Sequence, residues 1–333
     1  MTEPDHGPSR VPRPSLSRWV ALTSLATLLF LGGVHIPHFG FWGILFCPTP
    51  LALLGLRQGG AWMTAGLGTV LLVVLTVMGP LWAAYFLFSE GLLCYALALP
   101  ARWRPRAESS SARLTGGESL FICVGVSILI KLCLTGFFYI MTGANPLLPQ
   151  VDPLRAVLKE MYPDIWGGEG SQALLLKEAI EEMLRVLPHM FPSLLVILAG
   201  LDSFVNYKLC EVLQRKRETS LPSLPPFRDW RFPKSLMWAM LLAFLLPLLF
   251  EELSDFSPLA VTAMNLKILV NIFFFLQGAA LAWWFFHHFR VATVFKLLGL
   301  FLLSLPLFWP WLVFLGIGDI FFDVRVRLNR TGA

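Results

Sequence analysis

The sequence predicts an all-α fold, a polytopic bundle of transmembrane helices, and two observations carry that expectation. The chain is 56% hydrophobic and 14% charged, whereas a soluble domain spends about a quarter of its residues on charge. Its apolar residues also come in continuous runs of about 20, the length that crosses the hydrocarbon as a helix. The alternating pattern of a β-barrel strand is not seen.

Candidate spans lie at 19–36, 39–56, 60–79, 82–100, 118–141, 188–210, 233–250 and 262–288. Trp19, Trp42, Trp62, Trp82 and Trp238 stand near the ends of such runs, where a half-wet aromatic ring suits the headgroup region. The first run, Trp19 to Val34, is not followed by an A-x-A cleavage site, so it reads as a retained helix and not as a signal peptide.

The loops give an orientation. Arg10, Arg13 and Arg18 precede the first span, and Arg102, Arg104, Arg106 and Arg113 follow the fourth. Lys208, Arg215, Lys216, Arg217, Arg228, Arg231 and Lys234 lie between the sixth and seventh. All three clusters fall on one side if each span crosses once, and the positive-inside rule makes that side cytoplasmic. The opposite loops are acidic, with Glu251, Glu252 and Asp255 in one of them. The expected organisation is a basic tail at 1–18, a transmembrane core at 19–212, a proline-rich cytoplasmic linker at 213–232, and C-terminal membrane helices at 233–333. The expected location is a bacterial inner membrane.

The last apolar stretch, 292–322, does not fit one crossing. As a straight helix, Val294 to Phe322 would run roughly 43 Å, longer than the hydrocarbon. Pro306 and Pro310 interrupt it, and Arg325, Arg327 and Arg330 follow. Two short helices in a hairpin would return those arginines to the cytoplasm; one kinked span is the alternative. The longest non-spanning segment, 142–187, opens with a proline-rich turn region and continues as SQALLLKEAIEEMLRVL. Leu176, Ile180, Met183, Leu184 and Leu187 form one apolar stripe at helical spacing. Lys177 with Glu181, and Glu181 with Arg185, are placed to pair at i,i+4. This external helix either packs on the bundle or serves as a lid.

Charge within a span is costly and marks candidate sites. Glu90 and Lys131 stand near the middle of the fourth and fifth spans. The expectation is that they pair with each other, either as polar anchors for a substrate or as a structural ion pair. Asp202 and Asn206 share a face of the sixth span and lie toward its cytoplasmic end, where hydration is the plainer reading. Asn271 and Gln277 in the eighth span point to different faces, and a helix–helix hydrogen bond explains Asn271 most simply. Pro48 and Pro50 break the second span at mid-depth, and Gly55, Gly59, Gly60, Gly66 and Gly68 let neighbours approach. A broken helix needs neighbours or a cavity to satisfy its freed backbone groups, so 47–60 is a candidate cavity wall.

Several classes are disfavoured. A net charge of +5, scattered in loops, is no nucleic-acid signature. Cys47, Cys94, Cys123, Cys133 and Cys210 form no C-x-x-C pair and read as buried small hydrophobes. His35 and His38, and His287 and His288, sit at span ends. No zincin, Walker A or nucleophile-elbow pattern occurs. Neither an enzyme nor a bound cofactor or metal is expected.

LPPFRDWRFP, then Asn271, Gln277 and Gly278, then LGIGDIFFDVRVRL, together with FPSLLVILAGLDSFVNYKL, resemble the YybS-like family of uncharacterised bacterial membrane proteins. The N-terminal PTPLALLGLRQG, after a basic tail and one span, is similar to the substrate-binding (S) components of energy-coupling-factor vitamin transporters. That likeness implies an S-component-like six-helix core for 19–212 and a docked coupling subunit. In place of the A-x-x-x-A docking face of those proteins the chain has Thr23-x-x-x-Thr27. The architecture also resembles MreD-type proteins, which implies envelope-assembly partners. Binding or uptake of a small-molecule substrate is the leading expectation. A non-catalytic envelope scaffold is the alternative.

Overall fold

The computed structural model describes residues 15–36, 38–102, 114–143, 151–168, 170–214, 221–249 and 257–331. The basic residues of the N-terminal tail before Ser15, residues 103–113 and 144–150, Arg215–Arg217 and the acidic residues among 251–255 lie outside them. Among the described residues the regular structure is helical throughout. Among them, seven helical segments are long and apolar enough to cross a membrane, or up to eight with one bent pair. The chain is therefore an all-α, multi-pass membrane helical bundle.

It divides into two compact units, one of residues 1–142 with 198–224, the other of 143–197 with 225–333. The first contains α1 (Leu16–His35), α2 (Gly40–Phe46), α3 (Pro48–Gln58), α4 (Gly60–Met78), α5 (Pro80–Phe86), α6 (Leu92–Arg102) and α7 (Gly116–Thr142). Two of its spans depart from a regular helix, and both departures follow from sequence. Pro48 and Pro50 lack the N–H groups that a continuing helix would need, so the second span breaks into α2 and α3 at Cys47. Between α5 and α6, Leu87–Gly91 forms one π-helical turn. These two spans are also the most buried of the candidate crossings. Gly59 and Gly79, at φ 101° and 90°, make the tight links between α3 and α4 and between α4 and α5, a backbone region open to glycine at little cost.

The core of this unit joins Phe30, Leu51, Met63, Phe86, Leu93 and Leu97. Leu72, Val77, Phe121 and Ile140 face outward, as apolar side chains do on lipid-facing helices.

The second unit holds α8 (Val151–Met161), α9 (Pro163–Gly167), α10 (Ser171–Val186), α12 (Leu236–Leu249), α13 (Pro258–His288), α14 (Thr293–Ser304), α15 (Trp309–Phe322) and α16 (Val324–Thr331). Helix α11 (Phe191–Gln214) starts in this unit and enters the first at Leu198. Helix α12 has 14 described residues, short of a crossing, and residues 250–256 lie outside the described residues. The prolines of the last stretch act as expected. The chain turns by 105° between α14 and α15, which excludes one straight helix over 294–322.

Helix α15 packs on α13 at a glycine crossing. A Cβ on Gly278 would lie 1.8 Å from the Leu312 carbonyl oxygen, and one on Gly316 2.0 Å from that of Phe274. The two backbones touch, as small residues permit in membranes. Gly278→Ala is expected to force the helices apart at a cost of about 2 kcal/mol or more. Thermal unfolding in detergent measures it; an unchanged melting temperature would show that the crossing yields freely.

The external segment forms the expected helix, α10, but its stripe is not buried. Leu184 is enclosed, while Leu176 and Met183 are each 52% exposed. Its ion pairs also differ from expectation. Glu181 pairs with Arg155 of α8 at 2.9 Å, and Arg185 pairs with Glu182. A neighbouring helix supplies a planar guanidinium that can meet the Glu181 carboxylate with a charge-assisted hydrogen bond.

Candidate functional site

The two irregular spans of the first unit carry their polar residues to one place. At the α2–α3 break Pro48 and Pro50 remove two helix donors. The Leu45 carbonyl, beside them, accepts a hydrogen bond from Asn206 Nδ2 of α11 at 2.8 Å. That amide also donates to the Asp202 carbonyl and to Asp202 Oδ1, both at 2.9 Å. Thr49 Oγ1 donates to Asn206 Oδ1 at 2.6 Å. Asn206 thus stitches the broken helix to α11 with both ends of its amide in use. Substituting it with Leu orphans a backbone carbonyl and the Thr49 hydroxyl, a loss of about 1–3 kcal/mol. A melting curve that matches the wild type would contradict this role.

Lys131 does not pair with Glu90 as the sequence suggested. Its ammonium donates to Asp202 Oδ2 at 3.1 Å. Asp202 is not a hydrated helix end either; it lies halfway along α11 and is buried. Helix α11 continues to Gln214, beyond the apolar run, so its midpoint falls later than the run suggests. Glu90 stands in the π-turn with the residue 4% exposed, within electrostatic reach of both Lys131 and Asp202. Its Oε2 has no hydrogen-bond partner among the described residues. The geometry brings Glu90, Lys131, Asp202, Asn206 and Thr49 together. Thr49 is the member that sequence reasoning missed; its position inside CPTP, where the helix must break, is the signal that pointed to it. π-Turns within α-helices recur at functional sites.

Gln277 belongs to a different cluster, in the second unit. Its Nε2 donates to Asp319 Oδ2 at 2.5 Å, and its Oε1 accepts the Phe232 N–H at 2.9 Å. Asp319 pairs with Arg325 at 2.9 Å, with both side chains nearly inaccessible. Arg325 Nη1 donates in turn to the Arg228 and Trp230 carbonyls at 2.5 and 3.1 Å. At the edge, Lys234 pairs with Asp323, the left-handed residue that ends α15. The Lys234 ammonium holds the Asp323 carboxyl below its usual range, so what little this exposed pair adds is present above that range and is lost as pH falls through it. The cluster is a clasp that ties LPPFRDWRFP to α13 and α15. Asn265 performs a similar service, accepting from the Ser193 N–H and donating to the His189 carbonyl. Asn271 is half-buried and takes part in neither cluster.

Four of the cysteines are buried and Cys133 is exposed; all five are free. An open groove of about 590 Å³ in the second unit is lined by Arg155, Glu178, Glu181, Glu182, Leu184 and Arg185, among others. Most of its charges are already in the pairs described above.

The chain is 24% identical over 319 residues to the "Uncharacterized protein YybS" of Bacillus subtilis (strain 168), covering 95% of this chain and 98% of that protein. No solved structure matches. Residues 24–320 match a family described as "Predicted membrane protein (DUF2232)", and the chain belongs to that family.

Proposed function

We propose that the protein is a non-catalytic binding or uptake component for a small solute, set in the bacterial inner membrane with both termini in the cytoplasm. One observation carries the reading. Glu90 is buried at the middle of a span, on a π-turn, beside the Lys131–Asp202 pair and a proline-broken helix. A fold that needed only stability would gain little from an intramembrane carboxylate with an unused oxygen. Irregular backbone at membrane depth is tolerated where it is enclosed by protein or lines a cavity. The polar groups here hold charge and hydrogen bonds in place and include no nucleophile–base pair, which suits binding better than bond cleavage. The S-component-like reading of the N-terminal spans is consistent with this.

The clasp favours a second reading, a cell-envelope scaffold. Gln277, Asp319 and Arg325 are spent on holding the chain together, which is what a packing protein requires. Native mass spectrometry of the full chain in lipid nanodiscs separates the two. The binding reading predicts a co-purifying small molecule. Its absence, with recovery of elongation or division proteins in pull-downs, would favour the scaffold.

A further inference from the structure

The intramembrane cluster is one positive charge short. It holds two carboxylates, Glu90 and Asp202, and one ammonium, Lys131. The ammonium is bound to Asp202 Oδ2, and Asp202 Oδ1 is taken by Asn206. The titratable groups within electrostatic reach of Glu90 are Lys131 of α7, Asp202 of α11, Tyr85 of α5 and Cys47 at the α2–α3 break. Of these, Lys131 alone is a cation, and its bond is to the other carboxylate. With both carboxylates ionised, a net negative charge would stand at the centre of a span, where uncompensated charge is not sustained.

The missing charge has a definable chemistry. Glu90 Oε2 offers free lone pairs in a buried position, an acceptor for an O–H or N–H donor. Among the described residues no group of three or more His, Cys, Asp or Glu could hold a metal ion. We infer that Glu90 takes up one hydrogen-bond-donating monocation, either a proton or the ammonium head of a small amine, and that this is the charge the site recognises. The inference rests on the reading of this cluster as a binding site. It also gives the helix break a role. When the cation leaves, two carboxylates compete for the Lys131 ammonium. Any shift of Asp202 is passed by Asn206 to the Leu45 carbonyl at the α2–α3 junction.

The test uses the full chain in nanodiscs of phosphatidylcholine, as wild type and Glu90→Gln, a change that keeps volume and removes charge. In amine-free buffer, infrared spectra report the C=O stretch of a protonated carboxylic acid. In parallel, melting is followed with methylammonium and with tetramethylammonium, which has the same charge but no N–H. A carboxylic acid band that Glu90→Gln abolishes identifies the proton. A methylammonium-specific rise of roughly 3 °C, absent in Glu90→Gln, identifies the amine. Neither signal in the wild type, or signals that persist in Glu90→Gln, would overturn the inference. If Glu90→Gln fails to fold, Glu90→Met serves in its place, and Glu90→Asp is expected to retain the signal. A solute that co-purifies equally with wild type and Glu90→Gln overturns this inference and leaves the binding reading intact. A Glu90-dependent band without any co-purifying solute does the reverse.

Discussion

Lys131→Met is expected to cause one of the two largest losses of stability in the protein, about 3–5 kcal/mol. The substitution keeps the length of the apolar stem and removes the ammonium that Asp202 faces at 3.1 Å. Asp202 is then a buried carboxylate with only the Asn206 amide for a partner. The size of the effect comes from that stranded charge and not from the intrinsic worth of the ion pair, which is small once desolvation is counted. Double variants make the assignment sharp. Lys131→Met with Asp202→Asn removes both charges and recovers most of the stability. Lys131→Met with Glu90→Gln leaves Asp202 stranded and stays unstable. Melting temperatures of the three variants in one detergent decide the matter. Rescue by Glu90→Gln and not by Asp202→Asn would mean that Glu90 is the true partner.

Arg325→Met is expected to cost a similar amount, about 3–5 kcal/mol, and to behave differently in the double variant. Arg325 neutralises Asp319 and also donates to the Arg228 and Trp230 carbonyls. Adding Asp319→Asn removes the stranded charge but leaves those carbonyls without their donor, at about 1–3 kcal/mol for a buried unsatisfied group. Rescue is therefore partial. Full rescue would show that the carbonyl contacts contribute nothing and that the linker is not clasped by this arginine.

The contrast between these pairs marks what the sequence makes legible. Span positions follow from run length, and both helix breaks follow from prolines, at Pro48 and Pro50 and at Pro306 and Pro310. Depth along a helix is also readable, which is why Glu90 and Lys131 stand out. The choice of partner is not. It depends on how each helix is rotated about its axis, and rotation is set by packing, here by the bend at the α2–α3 break and the π-turn that re-aims Glu90. Asp202 was obscured because the apolar run ends near Lys208 while α11 continues to Gln214. The clasp shows the same limit. Gln277, Asp319 and Arg325 each belong to a recognisable motif, yet nothing in the spacing of residues 42 apart says that Gln277 and Asp319 will bond. Glu181 of α10 pairs with Arg155 of α8, a partner that local i,i+4 rules cannot see because it lies on a neighbouring helix.

In the proposed reading, the Glu90–Lys131–Asp202 cluster binds a small solute. The most direct measurement compares native mass spectra of the wild type and the Glu90→Gln, Lys131→Met, Asp202→Asn triple variant, in which all three charges of the cluster are gone and none is stranded. The expected result is a small molecule bound to the wild type and missing from the triple variant. A folded triple variant that carries the same molecule, or a wild type that carries none, would contradict it.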